Sequence, residues 1–183
     1  MRAPEQKRAG LLASVSADGG FCGYASLFGR MDLSGDVVEA GAFARSLARR
    51  KTEGVGLLLE HDPNRTIGHW LYIEEDARGL WVEGQLGAAP AARQAARAMA
   101  SGSLDGLSIG FSTISAEREG RVRRLVEVDL WEVSVVAAPM LPEARARAAG
   151  AVRETGGERP VTAVDAGLIA QMRRTTALFR QTR

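Results

Sequence analysis

The chain holds 183 residues, 45% of them apolar and 25% charged, with a formal net charge of +2. This is ordinary globular composition, enough for one domain with a real core plus a tail, and it excludes both two full-sized domains and wholesale disorder. A single cysteine, Cys22, excludes an internal disulfide and fits a reducing compartment.

No apolar run approaches the ~18 residues of a membrane span, and residues 1–8 lack the apolar stretch of a secretory signal, so the sequence reads as soluble and intracellular with no membrane partner. Charge is unevenly placed: residues 1–141 carry 16 Lys and Arg against 18 Asp and Glu, whereas residues 142–183 carry 8 against 4. The basic excess belongs to the tail, where arginines at this density describe a solvated segment better than a nucleic-acid-binding one.

Residues 11–16 and 21–28, short and rich in apolar and small residues, flank Ala17-Asp-Gly-Gly20 and predict a β-hairpin. Residues 32–36 hold two acids around a Ser-Gly but lack the alternating acids of a calcium loop, and they read as a turn. In residues 41–50, Phe43 and Leu47 lie four apart with arginines opposite and Gly54 beyond, the pattern of a short amphipathic helix. Strands are predicted over 55–60, 67–73 and 79–86, the last from the alternation of Leu80, Val82 and Leu86 with Trp81 and Glu83. Residues 90–101 are alanine-rich, with Pro90 acceptable in a first turn and Gly102 past the end, and predict a second helix. Two long strands, 104–115 and 122–137, follow with a charged hairpin between them. Residues 144–160 show no periodicity that could bury a core and read as a linker, and residues from Asp165 onward, with Leu168, Ile169, Met172 and Phe179, predict a terminal helix.

The best nucleophile is Ser108, in Asp105-Gly-Leu-Ser-Ile-Gly-Phe111, where flanking glycines admit close approach of a substrate backbone. A serine hydroxyl needs a neighbouring base whose pKa lies near neutrality, and free histidine titrates at about 6.5. Only His61 and His69 are available; His61 follows the apolar run Val55–Leu59 at a strand end, where a side chain is both held and reachable. Gly106-Leu-Ser-Ile-Gly110 matches the Gly-x-Ser-x-Gly pattern of α/β-hydrolases, but that fold needs a helix after the serine and a histidine later in the chain. Here the serine is followed by β-branched and aromatic residues, and both histidines precede it. A third member to orient the imidazole must come from Glu127, Asp129 or Glu132. On a regular strand, residues 127 and 129 share one face and residue 132 takes the other. No set of residues has the spacing of a metal site, no glycine loop cradles phosphate, and no cofactor is expected.

Several blocks in one order carry a resemblance: Gly23-Tyr-Ala-Ser-Leu-Phe-Gly29, Gly35-Asp-Val-Val with Gly41-Ala-Phe43, Leu58-Leu-Glu-His-Asp-Pro63 with Ile67-Gly68, Gly79-Leu-Trp-Val-Glu-Gly84, Asp105 to Phe111, and Val128-Asp-Leu-Trp-Glu-Val-Ser-Val-Val136 with Pro139. Across about residues 20–148 the chain resembles the prohead maturation proteases of tailed bacteriophages, related in fold to the herpesvirus assembly proteases. The resemblance implies a mainly β (α+β) fold: a small herpesvirus-protease-like β-barrel with surrounding helices. It divides the chain into an N-terminal segment with a first strand (1–19), a protease domain (20–148), and an Ala/Arg-rich linker with a terminal helix (149–183).

It also implies a serine endopeptidase with His61 as base and Ser108 as nucleophile. The herpesvirus relatives use a later histidine as third member; this chain has none, so an acid replaces it, with Asp129 the first choice by register, Glu132 the alternative and Glu127 third. Oxyanion donors map loosely onto Val136-Ala-Ala-Pro139. The implied substrate is the major capsid protein or a scaffold segment, cut inside the immature capsid in the host cytoplasm, with self-cleavage of the tail and homo-oligomerisation as further expectations. The source implied is a phage or a phage-derived gene-transfer particle. The alternative is a non-catalytic assembly or scaffold-like factor that keeps the fold and works through its basic tail.

Overall fold

A computed structural model describes residues 14–149. Among the described residues, nine strands and two helices follow one another as β1 (Gly20–Leu27), β2 (Asp36–Val38), α1 (Ala44–Arg50), β3 (Gly56–Leu59), β4 (Asp62–Thr66), β5 (Gly68–Glu75), β6 (Gly79–Leu86), α2 (Pro90–Ala100), β7 (Gly106–Glu119), β8 (Val122–Val136) and β9 (Ala146–Ala148). The mainly β character with two interposed helices is as expected. The terminal helix predicted from Asp165 lies outside the described residues.

The strands form two sheets. One runs β5-β6-β1-β9; the other runs β2-β8-β3-β4, with β7 also paired to β8. Among the described residues they do not close into the expected barrel. A single bridge, Gly106 to Arg145, joins β7 to the approach of β9, supported by Leu107 N–H to Ala144 O at 2.9 Å and Ala146 N–H to Asp105 O at 2.7 Å. Three residues of β9 are too few to zip the two sheets edge to edge.

Three expectations are corrected. The first arm of the early hairpin is no strand over residues 14–16: Ser14 turns instead to the end of α2, its hydroxyl donating to Met99 O at 3.0 Å, and β1 pairs with β6 and β9. The turn itself is present, closed by Ser16 N–H to Gly20 O at 2.8 Å. The linker does not begin at residue 144, because Ala144 and Ala146 are buried and β9 pairs with β1 from Phe21↔Ala148 to Gly23↔Ala146. Finally, residues 60–66 conceal a hairpin, β3 to β4, that the sequence did not announce.

The core lies between the sheets. Phe21, Leu80, Val82 and Trp70 face Leu57, Leu107, Leu125, Leu130, Val133 and Val135, with Phe43 preceding α1 and Ala92, Ala95 and Met99 on the inner side of α2. Each fully buried large apolar side chain contributes about 1.5–3 kcal/mol. α1 has no side-chain cap of its own; the Glu75 carboxylate on β5 accepts the Phe43 N–H at 2.9 Å and fills that place. On its buried side Ser46 accepts the Leu130 N–H at 2.9 Å, which fastens α1 to the middle of β8.

Candidate active site

Strand β8 is the axis of the site. Over residues 132–135 it runs between β3, parallel to it, and β7, antiparallel, with Gly56↔Glu132 and Leu58↔Ser134 on one side and Ser108↔Ser134 and Gly110↔Glu132 on the other. Three strands distant in sequence thereby present neighbouring side chains.

His61 sits in the two-residue connection from β3 to β4. Glu60 and His61 have φ of 53° and 59°, positive at both central positions as a type I′ turn demands, where Asn-Gly is the usual pair. Neither residue favours that region, and such strain, of order 1–3 kcal/mol each, persists only where surrounding bonds hold it. The bonds are present: Glu60 N–H donates to Val135 O at 3.0 Å, the Glu60 carboxylate accepts the Ala137 N–H at 2.8 Å, and His61 N–H donates to the Ser134 hydroxyl at 3.1 Å.

The imidazole is thereby aimed at two partners. Nδ1 lies 2.6 Å from Glu132 Oε1, and Nε2 lies 3.0 Å from Ser108 Oγ. With Nδ1–H donating to the carboxylate, Nε2 is left to accept the serine proton. The hydrogen bond that the ring donates to Glu132 raises the His61 pKa above its ordinary value; partial burial opposes this, and the negative charges of Glu132 and Glu60 add to it. Ser108 is 5% exposed and Glu132 1%, while the His61 side chain is 42% exposed, so the site is fixed from beneath and open from above. A cleft of about 170 Å³ opens beside Ser108, walled by Ala25, Val38 and Leu107 and rimmed by Arg30, Asp32 and Met140.

The glycines around Ser108 have separate tasks. A Cβ on Gly110 would meet the Glu132 carboxylate, with Cδ at 2.6 Å and Cγ at 2.7 Å, so the bare backbone is what leaves room for the acid. A Cβ on Gly106 would lie 2.6 Å from both Pro139 Cδ and Val136 O, so the segment after β8 packs directly on the start of β7.

Of the sequence candidates, the structure brings together His61, Ser108 and Glu132. It does not bring Asp129, the first choice for third member. That carboxylate is held by Arg50 at 2.8 Å through both oxygens and by Arg49 at 2.5 Å, and it accepts from the Ser46 hydroxyl at 3.2 Å. The bond from Arg50, with Ser46 and the Arg49 charge, keeps Asp129 far below the usual carboxylate range. Glu127 pairs with Arg45 at 3.2 Å. The β7–β8 ladder slips between Gly110 and Phe111, where successive partners are Glu132 and Leu130, so simple alternation from residue 127 onward does not carry past Trp131. His69 is exposed on β5, in the other sheet. In the segment proposed for oxyanion donors, the Ala137 N–H is already committed to Glu60. Two residues that sequence reasoning missed are Ser134 and Glu60; the first carried no signal beyond its place in a strand, and the second was hidden by a turn without glycine.

Comparison with known proteins identifies the family of the chain. The model of the caudovirus prohead serine protease family matches residues 11–157. The prohead protease of Enterobacteria phage HK97 is 36% identical over 126 residues, which cover 65% of this chain and 55% of that relative, so the chain spans about half the relative's length. Among solved structures, the bacteriophage T4 capsid assembly protease gp21 is similar in fold, with a TM-score of 0.53 at 12% identity over 65% of this chain and 82% of that one. The KSHV protease in complex with a hexapeptide phosphonate inhibitor is matched with a TM-score of 0.48 at 15% identity, over 69% of this chain and 63% of that one. The family model covers most of the sequence, including every residue of the cluster just described, and the chain belongs to the caudovirus prohead serine protease family.

Proposed function

We propose that this chain is a serine endopeptidase that cuts capsid or scaffold protein within the immature capsid, with Ser108 as nucleophile, His61 as general base and Glu132 as the acid that orients it. The contact that carries this reading is the continuous line from Glu132 through both ring nitrogens of His61 to Ser108 Oγ. In the first half-reaction Ser108 Oγ bonds to the scissile carbonyl carbon as its proton passes to His61 Nε2. The imidazolium then gives that proton to the leaving amine as the C–N bond breaks, leaving an acyl ester on Ser108. Water, deprotonated by the same nitrogen, cleaves the ester and restores the hydroxyl. Glu132, buried behind the ring, stabilises the imidazolium in both halves and keeps Nδ1 protonated.

Family membership supports the activity, and the names of the HK97 and T4 relatives support capsid protein as the substrate class. No helix among the described residues is long and apolar enough to cross a membrane. Release of the tail is expected to spare β9, which pairs with β1 in the first sheet; intact mass of particles retaining the full chain would refute it. The central test is covalent labelling by a fluorophosphonate probe. The wild type is expected to react at Ser108, and S108A co-expressed with the cognate capsid protein is expected to leave it untrimmed, with turnover lower by about ten-thousandfold or more. Absence of labelling in folded protein would instead favour a non-catalytic assembly factor, and capsid protein trimmed in the presence of S108A would overturn the assignment of Ser108.

A further inference from the structure

Resting on the reading of Ser108 and His61 as the hydrolytic pair, we propose that Ser134 is a positioning residue that closes a ring of hydrogen bonds through His61 and Glu132 and so fixes the direction of the imidazole. The ring has three links. His61 backbone N–H donates to Ser134 Oγ at 3.1 Å, Ser134 Oγ–H donates to Glu132 Oε2 at 2.6 Å, and Glu132 Oε1 binds His61 Nδ1 at 2.6 Å. The loop begins and ends on the same residue, so the backbone and ring of His61 are tied to one carboxylate.

That arrangement answers a mechanical difficulty. An imidazole whose side chain is 42% exposed, in a two-residue turn with φ of 59°, has little packing to hold its χ1 angle. Glu132 alone would hold one ring nitrogen and leave the carboxylate to swing about its own χ angles. Ser134 is fully buried, and the register sets it beside Leu58 on β3 and opposite Ser108 on β7. From there its hydroxyl occupies the second carboxylate oxygen and also accepts the N–H that the strained turn would otherwise leave unpaired. A single hydroxyl thus serves as donor to the acid and acceptor for the base, a use that alanine cannot reproduce and threonine can.

The second-order rate of Ser108 labelling by a fluorophosphonate, measured beside the melting temperature, tests the role without knowledge of the natural substrate. S134A is expected to slow labelling by about 10–100-fold, the effect of misplacing a reacting group by a fraction of an ångström to one ångström. S134T is expected to return the rate to within about threefold of wild type, because it keeps a hydroxyl on the same carbon. Adding S134A to E132Q is expected to cost less than about threefold more than E132Q alone, since the two act as one unit.

A serine that served only folding would lower the melting temperature, and its rate loss would multiply with that of E132Q; multiplicative losses therefore overturn the proposal. So does S134A labelling at the wild-type rate, or an S134T that melts like wild type but reacts as slowly as S134A. If the added methyl of S134T prevents folding, the E132Q cycle decides. Failure of the wild type to label at Ser108 would refute the peptidase reading itself, whereas equal labelling of wild type and S134A would refute only this role.

Discussion

Glu132 and Asp129 stand three residues apart on the same strand and lead opposite lives. Asp129 faces α1, where two arginines and a serine satisfy it. Glu132 is buried to 1% exposure against β3 and β7, and its partners are a histidine and a serine. A carboxylate surrounded by guanidinium groups has its charge already spent on structure and adds little to an imidazole elsewhere. One buried without a fixed cation is costly unless a partner takes up its charge, and a histidine that becomes cationic during a reaction is such a partner. Environment, more than side-chain chemistry or sequence position, separates the structural acid from the site acid.

The sharpest way to break this comparison is to neutralise each acid in turn. E132Q is expected to slow Ser108 labelling by about 10³–10⁴-fold, because an amide no longer fixes the tautomer that leaves Nε2 free; a loss below tenfold would place the orienting acid elsewhere. G110A comes next, since its methyl must displace Glu132 from the position His61 uses. A loss of about 10²-fold in the same rate is expected, and a crystal structure should show the carboxylate moved.

A pH profile refines the contrast. Glu132 raises His61 above the ordinary value of about 6.5, so labelling should increase with pH through a midpoint above that figure, and E132Q should lower the midpoint. The same shift makes protonated His61 a stabilising group, an effect complete below about 6.5 and lost as pH rises through the folded value. The smallest effect belongs to the other acid. D129N should leave the labelling rate within about twofold of wild type, because its bonds end in α1. Its carboxyl is depressed in the folded state, so it stabilises above the unfolded value of about 3.9 and loses that contribution as pH falls. The melting temperature of D129N should therefore lie below wild type at pH 7, with the gap shrinking toward pH 3. A large loss of labelling in D129N would erase the distinction between the two ends of β8.

Much of this was legible from the residues. Ser108 and His61 could be named because nucleophile and base are scarce types here, with two histidines in the chain and one serine set between glycines at a strand. Strand and helix order followed from alternation and from Pro90 and Gly102, and α2 does begin at Pro90. The acid that meets His61 was not legible in the same way. Three acids lie within six residues, and the strand period that should sort them is interrupted by the slip next to Trp131, which no residue type marks. The β3–β4 hairpin was hidden because Glu60-His61 fills a turn whose usual signature is Asn-Gly, and held there by β8, not by local preference. The same positive φ that concealed the hairpin aims the imidazole, so the departure from turn chemistry and the site coincide.

The middle position of β8 has a consequence for when this chain can cut. Partners in the cluster are separated by 47 and 71 residues, and one of the two strand pairings that unite them is parallel, the slower kind to form. A polypeptide still emerging from the ribosome at β7 holds His61 and Ser108 but not yet Glu132. The cluster of His61, Ser108 and Glu132 is therefore complete only once β8 has joined the sheet, and on the proposed reading the order of synthesis itself delays hydrolysis until then.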